Sequence, residues 1–431
     1  MTGWIISHLL QLFVLRGRQT WVKHARWVIA SWCRVPSMDR SQPRRKENWL
    51  LVDVSIFATH DAGTGIQRVV RSIVIELLRA PPEGLEVKLV RATRKQGYHH
   101  VDVTSVPESS QGFQLEISAL PLAVRQGDIF LGLDFSSRIV PARMHELLQW
   151  KKRGVRFAFV VYDLLPVMYP EWFTRKGRKY YKKWLRATAV YADMFCCISN
   201  AVADDLNQWM MSRFGIYTDN RLIRWFHLGA SFNSRLAEPI PQLTMLAERG
   251  KLAFNRTMLM VGTVEPRKGH EQVLLAFEEL WRRGDDVALV VAGRQGWNVE
   301  ALAARLRHQM TNGARLIWLE DINDQQLIWL YRNLGALLMA SKAEGFGLPL
   351  VEALDCDMPI LARDIPVFRE ICGDAATYFS GDSSYQLADL IRERLQAPEG
   401  QGGTDLSRPL SQDWEASTSW LVWHLKSLQS C

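Results

Sequence analysis

The chain alternates apolar runs of strand length with amphipathic, helix-like segments, and it does so in two separate series. The first series starts with WLLVDVSIF at 49–57, which is typical of a strand buried on both faces of a parallel sheet. A segment at 234–255, which contains Pro239 and Pro241, interrupts the alternation, and a second series starts with TMLMVGTV at 257–264. This order predicts an α/β protein with a parallel, doubly wound sheet in each half. The predicted strands lie at 49–57, 87–92, 128–134, 155–163, 194–199, 222–229, 257–264, 287–293, 314–321, 336–341 and 359–363, and the later ones are separated by helices at 269–283, 298–312, 323–333 and 349–355.

A length of 431 residues is sufficient for two or three domains. Two Rossmann-like halves bind ligands where the ends of strands and the starts of helices converge, so we expect a site in a cleft between them. Neither half contains G-x-G-x-x-G or G-x-x-x-x-G-K-[ST], which argues against a dehydrogenase or a P-loop enzyme. The predicted divisions are a basic, tryptophan-rich extension at 1–48, an N-terminal Rossmann-like domain at 49–235, a linker at 236–256, a C-terminal Rossmann-like domain at 257–408 and a C-terminal helix at 409–431.

The net charge of +8 is unevenly distributed along the chain. Residues 1–48 contain nine basic and two acidic residues, and residues 138–186 contain thirteen basic and three acidic residues, so the rest of the chain is net acidic. This distribution indicates a basic surface that faces an anionic partner. The segment RKGRKYYKKWLR at 175–186 fits either a solvated helix face or contact with anionic lipid or a lipid-diphosphate acceptor. Nucleic acid is disfavoured as a partner, because no recognised binding module is present and the body is acidic.

The N-terminal 34 residues combine Trp4, Trp21, Trp27 and Trp32 with five lysines or arginines. This pattern is typical of an amphipathic helix at a membrane interface, and a helix packed on the body or a disordered extension are the alternatives. No apolar run reaches the roughly 18 residues that a membrane span needs. No basic region precedes the apolar part, so a signal peptide is disfavoured.

The six cysteines give no pattern that predicts a metal site or a disulfide framework. They contain no CxxC pair and have no nearby histidine ligands. Free thiols of this kind suit a reducing cytoplasm.

The segment SKAEGFGLPLVEAL at 341–354 predicts a strand, a glycine loop and a helix. Gly345 and Gly347 can bring backbone N–H groups close to a ligand, and a proline at the start of a helix suits the first helical position. The exposed N–H groups of such a turn favour an anion, and a diphosphate would fit. Glu344 and Glu352 flank the loop and can accept hydrogen bonds from sugar or ribose hydroxyls. The alternative is an ordinary strand–turn–helix with two surface glutamates.

A second candidate site lies in MVGTVEPRKGHEQ, where Arg267 and Lys268 follow a strand and precede a helix. Arginine can bind phosphate oxygens in a fork, and lysine supplies a compact charge. The alternative is a solvated pair of cations. Cations at the start of a helix oppose the helix dipole, so a local structural reason for them is weak.

Taken together, VGTVEPRKG and EGFGLPLVEAL resemble the large retaining glycosyltransferase family four, which has the GT-B fold. Glu344 and Glu352 match the E-x7-E motif of that family. The segments TGIQRVVR, VVYDLLPVMYPEWF, ISNAVADDL and DIPVFREICGDAATYF are similar to its bacterial branch that transfers mannose or deoxyhexoses. The resemblance covers about 49–425 and implies two Rossmann-like domains that face each other across a cleft, with a C-terminal helix that packs back on the N-terminal domain.

The resemblance also implies roles for individual residues. Lys268 and Arg267 would bind the diphosphate of the donor, Glu344 would contact the transferred sugar, and Glu352 would hold the ribose. The remaining implied positions are a donor side formed by Gly262, Thr263, Gly345, Phe346, Gly347 and Leu348, and an acceptor side formed by Gly63, Gly65 and Asp163. Many members have an arginine where this chain has Thr263, and a histidine where it has Tyr162.

We therefore expect a retaining hexosyltransferase that uses a nucleoside diphosphate sugar, with GDP-sugars of mannose or deoxymannose favoured. The resemblance implies a lipid-linked or polysaccharide acceptor, a role in O-antigen, lipopolysaccharide or exopolysaccharide assembly, and a location in the cytoplasm at the inner membrane. No cofactor and no metal are expected. A nucleotide-sugar epimerase of the same two-domain architecture is the alternative enzyme. A catalytically inactive scaffold is a third possibility, which the intact Glu344, Glu352 and Lys268 argue against.

Overall fold

The computed structural model describes residues 14–15, 19–33, 45–59, 65–105, 114–219, 221–230, 236–313, 315–396 and 412–429. These residues form two compact units. The first unit contains the described residues up to Met168, Arg175–Leu228 and the chain from Trp414 onward, and the second contains Tyr169–Thr174 and Gly229–Asp413.

The first unit is built on an eight-stranded sheet whose central strand, β1, pairs in parallel with β2 on one side and with β5 on the other. The strand order is β4-β3-β2-β1-β5-β6-β7-β8. The strands are β1 (Asn48–Asp53), β2 (Leu85–Arg91), β3 (His99–Ser105), β4 (Gln114–Pro121), β5 (Ile129–Gly132), β6 (Arg156–Val161), β7 (Met194–Cys197) and β8 (Ile223–Trp225). The helices are α1 (Trp21–Trp32), α2 (Gly65–Arg79), α3 (Met144–Lys152), α4 (Leu165–Met168), α5 (Arg175–Tyr191) and α6 (Asn200–Trp209).

The first sheet is not parallel throughout, which is a correction to the prediction of a parallel sheet in this half. Strand β3 pairs antiparallel with β2, and β4 pairs antiparallel with β3. The sequence HHVDVTS of β3 is polar and lacks the continuous apolar run that marks a strand buried on both faces. Strand β3 was therefore not predicted, and neither was β4, whose sequence QLEISALP places polar residues between its apolar ones.

Part of the predicted N-terminal extension belongs to the first unit. Helix α1 packs on α5 and buries Val22, Ala25 and Ile29. The Arg26 guanidinium donates to the carbonyls of Ala189 and Ala192 at 2.9 and 2.7 Å. Within the described residues 19–33, the structure thus has the packed helix that the sequence left as an alternative, and Trp4 lies outside the described residues.

The basic segment in α5 has one buried face and one solvated face. Tyr181 and Trp184 are buried in the core, so these two aromatic residues are structural and do not form an exposed aromatic surface. Lys176, Lys179 and Lys182 point to solvent on the opposite face. The cations remain available to an anionic partner, whereas Tyr181 and Trp184 do not.

The second unit is built on six parallel strands in the order β11-β10-β9-β12-β13-β14, which confirms the doubly wound sheet predicted for this half. The strands are β9 (Thr257–Val261), β10 (Ala288–Ala292), β11 (Leu316–Leu319), β12 (Ala336–Met339), β13 (Ile360–Arg363) and β14 (Ala376–Phe379). The helices are α7 (Pro241–Glu248), α8 (His270–Arg282), α9 (Glu300–Asn312), α10 (Asp324–Asn333), α11 (Leu348–Asp355), α12 (Pro366–Cys372) and α13 (Ser384–Gln396).

The chain returns to the first unit at its C-terminal end, as the resemblance implies. Helix α14 (Trp414–Lys426) packs against α2. The Ser417 hydroxyl donates to the carbonyl of His227 at 2.7 Å, and His424 Nε2 lies 3.0 Å from the carbonyl of Trp225. These bonds fix α14 beside the end of β8.

Two buried carboxylates end the neighbouring strands β1 and β5, where the strand order of the first sheet changes direction. Asp53 accepts hydrogen bonds from Ser136 Oγ at 2.6 Å and from the Tyr98 hydroxyl at 3.3 Å. Asp134 Oδ2 accepts from the backbone N–H groups of Ile56 and Phe57, both at 2.7 Å. The two carboxylates thus hold the turn at residues 54–59 that follows β1.

Burial, together with the nearby charge of Asp53, raises the pKa of Asp134 from its ordinary 3.8 to about 7. Between pH 3.8 and about 7, the Asp134 carboxyl therefore keeps its proton in the folded state and loses it in the unfolded state. The stability that this proton contributes falls as the pH rises through that range and is lost above about pH 7. Asp134→Asn keeps an acceptor for both backbone N–H groups and does not titrate. The free energy of unfolding of the variant, relative to that of wild type, should therefore be higher at about pH 8 than at about pH 5. Urea denaturation at the two pH values measures this difference.

Asp128→Asn is the matched control for this prediction. The buried Asp128 carboxylate pairs with Arg45 at 2.8 Å, so its neutralisation should lower stability at both pH values. If the effect of Asp134→Asn does not change with pH, the raised pKa of Asp134 is wrong.

Candidate functional site

The strand order of the second sheet reverses between β9 and β12, so the loops after these two strands lie at the topological switch point. Ligands of open α/β sheets bind at such points, beyond the carboxyl ends of the strands. The loop after β9 runs from Gly262 through a 3₁₀ turn at Pro266–Lys268 to Gly269, where α8 begins. The loop after β12 runs to Gly347, where α11 begins. These two loops are the two motifs that the sequence singled out.

Four charged side chains connect the two loops. Lys268 Nζ lies 2.5 Å from Glu344 Oε1, and Arg267 Nη1 lies 2.5 Å from Glu344 Oε2. Arg267 Nη2 lies 2.6 Å from Glu265 Oε1. We call these four residues, Glu265, Arg267, Lys268 and Glu344, the ionic cluster. Its two cations and two carboxylates balance in charge.

The ionic cluster is largely withdrawn from water. The exposed fractions of the side chains are 3% for Glu265, 8% for Glu344, 12% for Lys268 and 16% for Arg267. Burial opposes ionisation of Glu344, but the charges of Arg267 and Lys268 and hydrogen bonds from Lys268 and Ser341 outweigh it and lower the pKa of Glu344 to about 2. For Glu265, burial outweighs the two cations and raises the pKa. Glu344 is therefore a fixed negative charge at neutral pH.

The start of the β9 loop brings Gly262 next to the cluster. Gly262 has φ +131°, and a Cβ built on it would lie 3.4 Å from Lys268 Nζ. The lysine amine thus lies over the backbone at the end of β9. The neighbouring Thr263 is exposed.

The glycine loop after β12 is tightly packed beneath Glu344. Phe346 is buried, and Gly347 adopts φ +104°, where a Cβ would approach Phe368 and Leu350 at 3.1 Å. Leu348 is the first residue of α11, one residue earlier than predicted. The backbone N–H groups of Gly345, Phe346, Gly347 and Leu348 belong to the turn that starts α11.

Glu352 lies on the buried side of α11. Its side chain is buried, and its Oε2 accepts a hydrogen bond from the Tyr331 hydroxyl of α10 at 2.7 Å. With Glu344 8% exposed as well, the alternative of two surface glutamates is wrong.

The remaining predicted residues lie in the first unit. Gly65 is the first residue of α2, and Asp163 follows β6, where its Oδ1 accepts from the backbone N–H of Leu165 at 3.1 Å. Gly63 lies outside the described residues. The second unit by itself therefore brings together Gly262, Arg267, Lys268 and Glu344.

Sequence reasoning missed three residues that support this site: Glu265, Ser341 and Tyr331. Glu265 and Ser341 stand inside the quoted motifs, so their polar character was the available signal. Tyr331 lies 21 positions before Glu352, and no local pattern connects the two.

Within the described ranges, no group of three or more His, Cys, Asp or Glu side chains is arranged to hold a metal ion. In the same part of the chain, no helix has the length and apolar character that crossing a bilayer requires. The five described cysteines are free thiols.

The chain is similar in sequence to known glycosyltransferases. Residues 247–402 match the family described as "Glycosyl transferases group 1". The chain is 37% identical over 387 residues to the serotype-specific mannosyltransferase WbdA of Escherichia coli, which covers 89% of this chain and 44% of that protein. It is 26% identical over 228 residues to O-antigen chain mannosyltransferase B of Escherichia coli, covering 53% of this chain and 58% of that one. The chain thus spans less than half the length of the WbdA relative.

A solved structure, Anabaena HepE in complex with UDP-glucose, superposes with a TM-score of 0.57. It is 14% identical and covers 89% of this chain and all of HepE. At this identity the likeness shows the fold, which is GT-B.

Gly269 sets the position of Lys268, and its replacement should be costly. Gly269 has φ +75°, and a Cβ there would collide with the carbonyl of Ala340. Gly284 has φ +85° but faces open space. We expect Gly284→Ala to lose about 1–2 kcal/mol of unfolding free energy, the usual cost of a left-handed backbone, and Gly269→Ala to lose at least about 2 kcal/mol more. Equal losses in urea denaturation would contradict the close approach of Gly269 to Ala340.

Proposed function

Because residues 247–402 form a glycosyl transferases group 1 domain, we propose that the protein transfers a hexose from a nucleoside diphosphate sugar to a glycan. The observation that carries this proposal is the ion pair between Lys268 and Glu344 at the switch point of the second sheet. It puts a cation with spare N–H donors beside a carboxylate that is ionised at neutral pH. Such a pair suits a substrate that has both a phosphate and hydroxyl groups.

The mechanism follows from the charges that develop during transfer. Breaking the bond between sugar and phosphate leaves a diphosphate anion and an oxocarbenium-like sugar. Lys268 stabilises the departing anion, together with the backbone N–H groups at the start of α11. The Glu344 carboxylate accepts hydrogen bonds from the sugar hydroxyls. We propose that the acceptor hydroxyl attacks the sugar from the face that the phosphate leaves, so that the configuration is retained, and that the leaving phosphate takes the hydroxyl proton. No metal is required in this proposal, because Lys268 and the N-terminus of α11 supply the compensating charge.

Glu352 is proposed to hold the ribose of the donor. A carboxylate can accept bonds from both ribose hydroxyls, and the bond from Tyr331 occupies one of its oxygens. Gly262, Thr263 and the glycine loop line the same donor side. We assign the acceptor side to the first unit, at Gly63, Gly65 and Asp163.

The identity of the substrates is proposed from the relatives. WbdA and O-antigen chain mannosyltransferase B are named for mannosyl transfer, the latter on O-antigen chains. Mannose or a deoxymannose, carried on GDP, is therefore the favoured donor, and a lipid-linked or polysaccharide glycan of the cell surface is the favoured acceptor. The epimerase alternative receives no support from the family match.

The direct test is incubation of purified protein with a panel of GDP- and UDP-sugars, with and without a lipid-linked glycan acceptor. We expect acceptor-dependent release of the nucleoside diphosphate. Lys268→Ala should lower the rate by about one to two orders of magnitude, because a charge-assisted hydrogen bond to the leaving group is lost. The exposed Lys342 in the neighbouring loop provides the control, and Lys342→Ala should leave the rate unchanged.

Two outcomes would contradict the proposal. Conversion of the donor sugar without an acceptor would identify an epimerase. Transfer by Lys268→Ala within about threefold of wild type would remove Lys268 from the mechanism.

We further propose that the first unit contacts an anionic membrane surface, on the cytoplasmic side of the inner membrane. Helix α1 has no acidic residue, and Trp27 is 68% exposed on the face opposite the buried one. Exposed tryptophan next to cations such as Lys23 suits insertion at the lipid headgroups. The solvated lysines of α5, on which α1 packs, add positive charge.

Vesicle co-sedimentation tests this contact without deleting α1, whose removal would expose core residues of the first unit. Trp27→Ser should reduce binding to vesicles that contain anionic phospholipid, and high salt should reduce it further by screening the cations. Tyr385→Ser, at an exposed tyrosine of the second unit, should bind like wild type. Equal sedimentation of all three proteins would mean that α1 serves the packing of the first unit alone.

A further inference from the structure

We propose that Glu265 and Arg267 act as a pair that positions Glu344, and that Lys268 alone of the two cations contacts the diphosphate. This inference rests on the proposed function and gives different roles to the residues of the ionic cluster. It assigns a role to Glu265, which no motif singled out, and it gives Arg267 a role different from the one the sequence suggested.

Arg267 is held from both loops at once. Its guanidinium contacts Glu265 in the β9 loop at 2.6 Å, and Glu344 and the carbonyl of Ala343 in the β12 loop at 2.5 and 3.3 Å. The backbone carbonyl of Arg267 also accepts the N–H of Lys342 at 2.8 Å. The orientation of the planar guanidinium group is fixed, because it contacts two carboxylates at once. Arg267 therefore links the two loops and fixes the carboxylate of Glu344.

Glu265 is placed to serve Arg267 rather than a substrate. Its side chain is 3% exposed, and its Oε2 has no hydrogen-bond partner among the described residues. The loop after β10 closes over it, since a Cβ on Gly296 would lie 3.3 Å from Glu265 Cβ. A carboxylate buried this way is stabilised by its pairing with Arg267. Its contact with Arg267 is the route by which it acts on the site.

Lys268 differs from Arg267 in the N–H donors that it has left for a ligand. Its amine carries three N–H donors, and the contact with Glu344 occupies one of them. The compact ammonium on a flexible chain can turn from the carboxylate toward a phosphate oxygen without breaking a second ion pair. Lys268 can therefore contact the diphosphate while Arg267 keeps Glu344 in place.

The test compares Glu265→Gln, Arg267→Lys and Lys268→Ala. Arg267→Lys keeps the charge but loses the fork, so it can reach one carboxylate but not both. Calorimetric titration with GDP and UDP measures diphosphate binding, and the transfer assay gives kcat and KM. We expect Lys268→Ala to weaken nucleotide binding about tenfold or more. Glu265→Gln and Arg267→Lys should bind nucleotide within about threefold of wild type while kcat falls about tenfold.

A double variant and a matched control sharpen the result. If the two residues act as one unit, Glu265→Gln should cause no further loss of kcat in the Arg267→Lys background. Glu279→Gln removes a carboxylate of α8 that also pairs with two arginines, Arg282 and Arg283, and should leave kcat unchanged. If Arg267→Lys does not fold, the uncharged double variant Glu265→Gln/Arg267→Gln takes its place.

Two results would overturn the inference. Nucleotide affinity that falls as much in Arg267→Lys as in Lys268→Ala would make Arg267 a diphosphate ligand. Wild-type kcat in Glu265→Gln would remove its positioning role. If the proposed function is wrong, the wild-type protein will transfer no sugar. The nucleotide titration is independent of transfer and would still compare Lys268 with Arg267.

Discussion

The pairing of Glu344 with Lys268 and Arg267 is the interaction on which the rest of the site depends. It connects the loops after β9 and β12 across the point where the strand order reverses. A buried carboxylate without a cation would be strongly destabilising, and two buried cations without a carboxylate equally so. Each loop is therefore held in place by charges on the other, and the backbone turn at Gly269 sets where the cations stand.

The first unit shows the same arrangement with different chemistry. Its strand order changes direction between β1 and β5, and Asp53 and Asp134 end these strands. Among the residues that the structure describes, no cation forms an ion pair with either carboxylate. Hydroxyl and backbone N–H groups satisfy them instead, and the pKa of Asp134 rises to about 7 because burial and Asp53 both disfavour its charge. Buried acids thus bind residues of the loops that follow the strands at both switch points.

The sequence predicted five of the six strands described in the second sheet, because these five are apolar runs buried on both faces and their loops carry glycine and charge. It missed β14, a short and partly exposed strand at the edge of that sheet. It failed for β3 and β4, which pair antiparallel and lack a continuous apolar run. Within the site, Arg267, Lys268 and Glu344 were found from their place beside strands. Glu265 and Tyr331 were missed, because the role of Glu265 depends on its burial and that of Tyr331 on a contact between the two helices α10 and α11. Local sequence spacing predicts neither.

The charge balance of the ionic cluster constrains how the proposed diphosphate ligand could bind. Two cations and two carboxylates already neutralise one another, so an incoming anion gains attraction only where an existing ion pair loosens. Loosening Arg267 would leave both Glu265 and Glu344 with less compensation, and Glu265 is the most deeply buried of the four. Loosening Lys268 leaves Glu344 still paired with Arg267. The least costly rearrangement for the proposed donor is thus a turn of the lysine amine toward its phosphate, which would keep Glu344 ionised and in place for the proposed contact with the sugar hydroxyls.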